Sequence, residues 1–191
     1  MANLKDLRGL SVLYNVDPRD FDFVCASFEK LESLVISCES LNDVHGRKLC
    51  HLKNLKELCL HDGKSLTDVT FTEGIHHLSL EELSISDCDG LTGLGISCID
   101  TSRGPLRKLS FHYCDEIQES DLEDLLRRGI HLRSVHVSYC RSLPDTWIEI
   151  FENCCMRLER LELDFSTVNG LSLKALSSRR PSIVLRDFEG E

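Results

Sequence analysis

Ten cysteines and eight histidines in 191 residues supply enough ligands and nucleophiles for a metal centre, a thiol redox pair or acid–base chemistry. A zinc site needs thiolates or imidazoles paired at short ligand spacing. The chain has no C-x-x-C and no pair at ligand spacing. Cys88, Cys114 and Cys140 instead recur at one point of a regular rhythm, with Cys38 one position early. Cys25, Cys50, Cys98, Cys154 and Cys155 fall near the ends of the segments between. This distribution reads as buried, inert thiols, and redox sensing by Cys59 or the Cys154–Cys155 pair is the alternative. His76 and His77 are adjacent and cannot both face one ion from a helix. His112 and His136 are expected near each other on neighbouring strands, where plain solvent exposure, and after it a surface contact, suits them better than zinc or acid–base work. No Gly-rich phosphate loop, H-E-x-x-H or G-x-S-x-G occurs. The expectation is therefore a binding protein with no catalytic residue, metal or cofactor.

The rhythm that carries the cysteines is Leu-x-x-Leu-x-Leu. It starts at Leu7, Leu31, Leu55, Leu80, Leu106, Leu132 and Leu158, at intervals of 24, 24, 25, 26, 26 and 26 residues. Apolar fourth and sixth slots, two apart, share one face of a short strand, as Leu34 and Ile36 do. The stretch that follows returns the chain. In some units it has helical period, as in Asp121, Leu122, Leu125 and Leu126, or Trp147, Ile148 and Phe151. Ser120-x-x-Glu123 predicts a capping box for the first of these helices, and Pro144-Asp145 marks the start of the second. The third unit is a poor helix former, with Thr67, Val69, Thr70, Phe71 and Thr72 clustered.

One such unit cannot bury its own apolar face, so the units must stack. The predicted fold is an α/β solenoid of about seven repeats, a curved arc with parallel strands on the concave face and helices on the convex face. It fills residues 1–191 as one domain, ending in a partial repeat over 181–191 with a strand at Ile183 to Leu185.

A formal net charge of −10 opposes binding to the phosphate backbone of nucleic acid. No apolar run of about 20 residues is present to cross a bilayer, and Met1 to Leu10 does not resemble a signal peptide. A cytoplasmic or nuclear protein with reduced thiols is expected.

A solenoid binds through its outward strand slots. Units three and four present Glu57, Asp62, Glu82 and Asp87 there. Units five to seven present Tyr113, Tyr139 and Phe165 in the eighth slot, together with Lys108, His112, His136 and Arg160. Aromatic and arginine side chains anchor interfaces. The expected site is an aromatic–basic patch on the C-terminal half, beside an acidic patch, for a protein partner on the concave face.

The segment Leu80 to Thr92, with Leu83, Ile85, Cys88 and Leu91 in place, resembles the cysteine-containing leucine-rich repeat of the F-box and leucine-rich-repeat proteins. Leu106 to Ile117 and Leu132 to Leu143 are similar to it. Leu66-Thr67-Asp68 and Leu91-Thr92 keep part of its I-T-D element, from which Ile117-Gln118-Glu119 and Leu143-Pro144-Asp145 depart. The resemblance covers almost the whole chain. It implies a substrate-recognition or regulatory role related to SCF-type ubiquitin ligases, with cullin-RING ligase components or their clients as partners. Six residues precede Leu7, so an F-box is not expected in this chain. Segments such as Leu55 to Leu66 are also similar to repeats of plant intracellular immune receptors, although the capped helix near Ser120 is unlike those. A structural subunit or assembly factor of a multiprotein complex is the other alternative.

Overall fold

The computed structural model describes residues 4–99, 106–140, 146–163 and 170–187. Among the described residues eight strands form one parallel sheet in sequence order: β1 (Gly9–Asn15), β2 (Ser33–Ser37), β3 (Glu57–His61), β4 (Glu82–Ser86), β5 (Lys108–His112), β6 (Ser134–Ser138), β7 (Arg160–Leu163) and β8 (Val184–Asp187). β2 pairs β3, and β4 pairs β5, slot against slot: Leu34 faces Leu58, and Leu83 faces Leu109. The fourth- and sixth-slot side chains of units two to seven all point inward, and none is more than 2% exposed. The fold is a leucine-rich-repeat solenoid, with strands on the concave side and return segments on the convex side. No helix among the described residues is long and apolar enough to cross a membrane.

The return segments differ because their sequences do. α1 (Pro18–Ser27) begins at Asp17, whose carboxylate accepts the Arg19 N–H at 2.8 Å, with Pro18 in the first turn. α4 (Glu119–Arg128) buries Leu122, Leu125 and Leu126. α2 (Asp43–Gly46) and α3 (Gly93–Ser97) are single turns. α5 (Thr146–Asn153) and α6 (Gly170–Arg179) complete the layer. In the third unit, Thr70–Gly74 winds as a π-type turn and Ile75–His77 as a 3-10 turn, in line with its poor helix propensity. The expected start at Pro144-Asp145 lies outside the described residues.

The capping box sits elsewhere than expected. α4 starts at Glu119, and Asp121, not Ser120, caps it by accepting the Gln118 N–H at 3.0 Å. Glu123 points along the helix to Arg127 Nε at 2.8 Å. Local spacing suggested the wrong pair because both S-x-x-E and Q-x-x-D fit the register, and the neighbouring repeat decides between them.

That neighbour acts through a carboxylate clasp. The Asp43 carboxylate accepts the Thr67 N–H at 2.9 Å and the hydroxyls of Thr67 and Thr70, both at 2.7 Å. One repeat later, Asp68 accepts the Thr92 N–H at 2.8 Å, its hydroxyl at 2.7 Å and the Gly95 N–H at 2.9 Å. Each aspartate thus caps the first turn of the following repeat. At the next step the donor of the carboxylate changes. Position 93 is glycine, and a Cβ there would fall 2.2 Å from Asp121 Oδ1. Asp121, from the following repeat itself, fills the space that an aspartate at 93 would use. The solenoid's far end has its own device: the Arg180 guanidinium donates to the carbonyls of Phe151, Cys155, Met156 and Leu158 at 3.1–3.4 Å, capping the turn after α5.

The clasp predicts a pH-linked stability. Burial opposes ionisation of Asp43, but the hydrogen bonds from Thr67 and Thr70 outweigh it and hold its carboxyl below the ordinary value of 3.8. Its contribution is therefore complete above about pH 4 and is lost as pH falls through the lower folded value. Asp43→Ala should lower stability by about 1–3 kcal/mol in urea unfolding followed by circular dichroism at pH 7. The gap between variant and parent should narrow on acidification below pH 4. A gap that is constant with pH would mean that the clasp is not ionised.

Candidate functional site

In units three to six the strand ends at its seventh slot, and the eighth slot makes the turn. Asp62, Asp87, Tyr113 and Tyr139 occupy it with φ of 54°, 56°, 51° and 52°, in the left-handed region. Asp87 N–H and Tyr113 N–H still donate to the next strand, to the carbonyls of His112 and Ser138. The ninth-slot thiol then closes the turn. Cys114 Sγ lies 3.3 Å from the His112 carbonyl and Cys140 Sγ 3.5 Å from that of Ser138. The second unit omits the left-handed residue: the Cys38 N–H itself bonds the His61 carbonyl at 2.7 Å, and its thiol faces the Ile36 carbonyl. That omission is why Cys38 comes one position early. In the third unit Gly63 takes the ninth slot, where a Cβ would meet Cys88 Sγ at 2.3 Å. Burial pushes the thiols of Cys38, Cys88 and Cys25 well up, consistent with inert packing.

The four left-handed residues form a ledge along the C-terminal ends of β3 to β6. Aspartate tolerates this conformation through local hydrogen bonding, whereas a bulky residue there is strained by about 1–2 kcal/mol. Two of the four positions nevertheless carry tyrosine. The rings of Tyr113 and Tyr139 stack with centroids 4.5 Å apart and planes 1° from parallel, and the two residues remain 49% and 44% exposed. Phe165, expected to extend the row, lies outside the described residues.

Of the expected aromatic–basic patch, His112 and His136 stand beside the tyrosines, whereas Lys108 and Arg160 do not. Lys108 and Arg160 occupy third slots, five residues from the eighth, which is about 16 Å along a strand. Both are held there by carboxylates: Lys108 Nζ lies 2.6 Å from Glu82, and Arg160 Nε 4.0 Å from Glu162. Glu57 is exposed beside Glu82 on the same rim. Among the described residues, the acids next to the tyrosines in sequence or register are Asp87, Asp89, Asp115 and Glu116, and the tenth-slot acids among them were not read from the sequence. What would have found them is the D-x-D of Asp87 and Asp89 and the paired acids that follow Cys114.

The histidines sit between the two rims. His112 and His136 meet edge to face with centroids 4.2 Å apart. His112 Nδ1 shares a hydrogen bond of 2.6 Å with Ser138 Oγ, and His136 Nδ1 lies 3.5 Å from Glu162. Sequence reading overlooked a parallel arrangement two repeats back, where Cys59 Sγ is 3.2 Å from His61 Nε2, and His61 Nδ1 is 3.4 Å from Ser86 Oγ. Seventh slots thus alternate Ser37, His61, Ser86, His112 and Ser138 along the concave face. Cys59 also lines a shallow groove of about 240 Å³ floored by Val35, Ser84 and Ser110. Burial raises the Cys59 thiol, against a hydrogen bond from Ser84 that lowers it. Among the described residues no group of three or more His, Cys, Asp or Glu could hold a metal ion.

No family model matches the chain. Its fold is similar to that of a chain in the crystal structure of the yeast Rad7 and Elc1 complex. The TM-score is 0.79, with 22% sequence identity over 98% of this chain and 51% of that one. The present chain therefore spans about half the length of the chain it matches. The likeness establishes the architecture, and the candidate site rests on this chain's own residues.

Burial depresses His112 from 6.5 to about 4, assisted by the nearby imidazoles of His136 and His61. Burial also lowers His136, with Glu162 opposing. The unfolded chain takes up a proton at His112 near pH 6.5, whereas the folded chain resists until about pH 4. The stability linked to His112 is thus complete above pH 6.5 and declines as pH falls from 6.5 to 4. In a proton NMR titration the His112 ring should show a midpoint near 4, and His112→Asn should flatten the stability profile across that window. A midpoint near 6.5 would place the ring in open solvent.

Proposed function

We propose that this protein is a protein-interaction module whose recognition surface is the concave sheet and its tyrosine ledge, and that it acts as a substrate-recognition or regulatory component related to cullin-RING ubiquitin ligases. The observation that carries the interaction reading is the Tyr113–Tyr139 stack. Two large, half-exposed aromatic rings are held in a backbone conformation that their side chains disfavour, at positions where aspartate does the same structural task one repeat earlier. Nothing in the fold requires tyrosine there, and tyrosine is among the side chains that anchor interfaces.

The ligase reading is finer and rests on two supports. One is the similarity of units four to six to the repeats of F-box and leucine-rich-repeat proteins. The other is the likeness of the fold to a chain crystallised in a complex between two proteins, Rad7 and Elc1. On this reading residues 1–191 act as one repeat domain in the cytoplasm or nucleus, without catalysis, cofactor or nucleic acid, and the partner is a ligase component or client.

A second reading has its own observation. At the first repeat Leu13 and Tyr14 are 67% and 85% exposed beside the open edge of β1, a surface suited to a permanent neighbour in a larger assembly.

Affinity capture from native cells, with Tyr113→Asn/Tyr139→Asn as control, separates these readings. Asparagine relieves the left-handed backbone while the stack is lost, so stability should stay within about 1 kcal/mol of the parent. Cullin-RING components or a client, recovered with the parent and lost with the variant, are the expected result. One abundant partner that the variant retains would overturn the ledge as the site and favour an assembly subunit bound through its first repeat.

A further inference from the structure

The ledge has a chemistry that specifies what it can take. Register sets Asp62, Asp87, Tyr113 and Tyr139 side by side, because Ser86 pairs with His112, which in turn pairs with Ser138. At about 4.8 Å per strand the four span about 14 Å. One face of the Tyr113 ring is covered by Tyr139. Its other face therefore turns toward the preceding repeat, where Asp87 stands. Acids continue just beyond the ledge in Asp89 and Asp115. Against them stands Lys64 of the third unit, and Arg141 lies outside the described residues. His112 and His136, immediately behind the tyrosines, are held toward the neutral form by burial and add no positive charge at neutral pH.

An aromatic face beside a carboxylate is the environment that a planar guanidinium fits: it stacks on the ring and donates to the acid. Lysine fits less well, since its compact ammonium cannot do both in one plane. An acidic segment would meet repulsion along the whole row, and so would nucleic acid.

We propose that the ledge of Asp62, Asp87, Tyr113 and Tyr139 is a docking site for an extended, arginine-bearing segment of a partner protein. This inference rests on the ledge being the interaction surface and names the chemistry of what binds there. Alternate side chains of an extended segment are about 7 Å apart, so two or three arginines of an Arg-x-Arg-x-Arg stretch fit across the four positions. One of them stacks on Tyr113 against Asp87, and another pairs with Asp62.

Fluorescence anisotropy with labelled peptides of about nine residues tests this. The probes alternate serine with arginine, with lysine or with glutamate. The parent should bind the arginine peptide at least about tenfold more tightly than the lysine peptide and should not bind the glutamate peptide. Asp62→Asn/Asp87→Asn and, separately, Tyr113→Asn/Tyr139→Asn should each weaken the arginine peptide at least about tenfold, which is 1.4 kcal/mol. Because the chain is acidic overall, Asp20→Asn/Asp124→Asn on the convex helices provides a control of equal charge change, and it should retain parental affinity.

If both acid variants weaken binding alike, the attraction is general and the inference fails. If arginine and lysine peptides bind equally, the guanidinium assignment fails. Should the glutamate peptide bind in a tyrosine-dependent manner, the ledge would stand as an interaction surface while its specificity would be overturned. If no peptide binds, and the tyrosine variant still loses its cellular partner in affinity capture, the interaction reading survives and the arginine segment does not.

Discussion

A parallel strand of five residues satisfies neither its own backbone nor its own leucines. Both needs are met from repeats 24 to 26 residues away, through in-register ladders such as β2 to β3 and inward rows such as Leu34, Leu58, Leu83 and Leu109. That constraint turns slot number into position. Whatever stands in one slot of successive units forms a spatial row about 4.8 Å apart. Inward rows are core. Outward rows are continuous surfaces, and their chemistry is set one residue per repeat.

The carboxylate clasp shows how strictly the stack enforces this. Asp43 and Asp68 carry no obvious role within their own repeats, since the donors they satisfy lie 24 to 27 residues ahead. Where the clasp breaks, at Gly93, the following repeat supplies Asp121 to the same space. The need for an acceptor at each first turn is therefore fixed by the backbone, while the residue that meets it can come from either side of the joint. Stability in such a chain resides in the joints between repeats.

The fold was legible because its period is written in leucines, and so were the closeness of Tyr113 to Tyr139 and the approach of His112 to His136. The thiols of Cys114 and Cys140 also face backbone carbonyls, as their size and weak donor suggest. Three features were not legible, the first two because each depends on a partner far along the chain. S-x-x-E at Ser120 looked like the cap until Gly93 left room for Asp121. Lys108 looked like a neighbour of Tyr113, yet it stands at the other end of the strand, held by Glu82 of the previous repeat. The grouping of acids around the tyrosines draws on tenth slots, beyond the strand pattern that guided the reading. Spacing within one unit specifies a slot, whereas the pairing of slots belongs to the joint.

The two rims of the sheet differ in a way that bears on where binding energy can reside. Much of the rim at the strand starts is internally matched. Glu32 sits between Arg8 and Lys56, Arg107 faces Glu81, Arg133 faces Glu159, and Lys108 faces Glu82. A partner docking there would have to break ion pairs that already exist, and exposed pairs of this kind contribute little to begin with. At the other rim, rings in a disfavoured backbone conformation stand beside an excess of carboxylates, with few cations among the described residues to answer them. A cationic partner meets attraction there from Asp62, Asp87 and Asp89, and it covers aromatic surface that is still half in water. The asymmetry follows from the strand itself: its first slots can be paired across the sheet by long side chains, while its last slot must turn out of the sheet and leaves what it carries to solvent or to a partner.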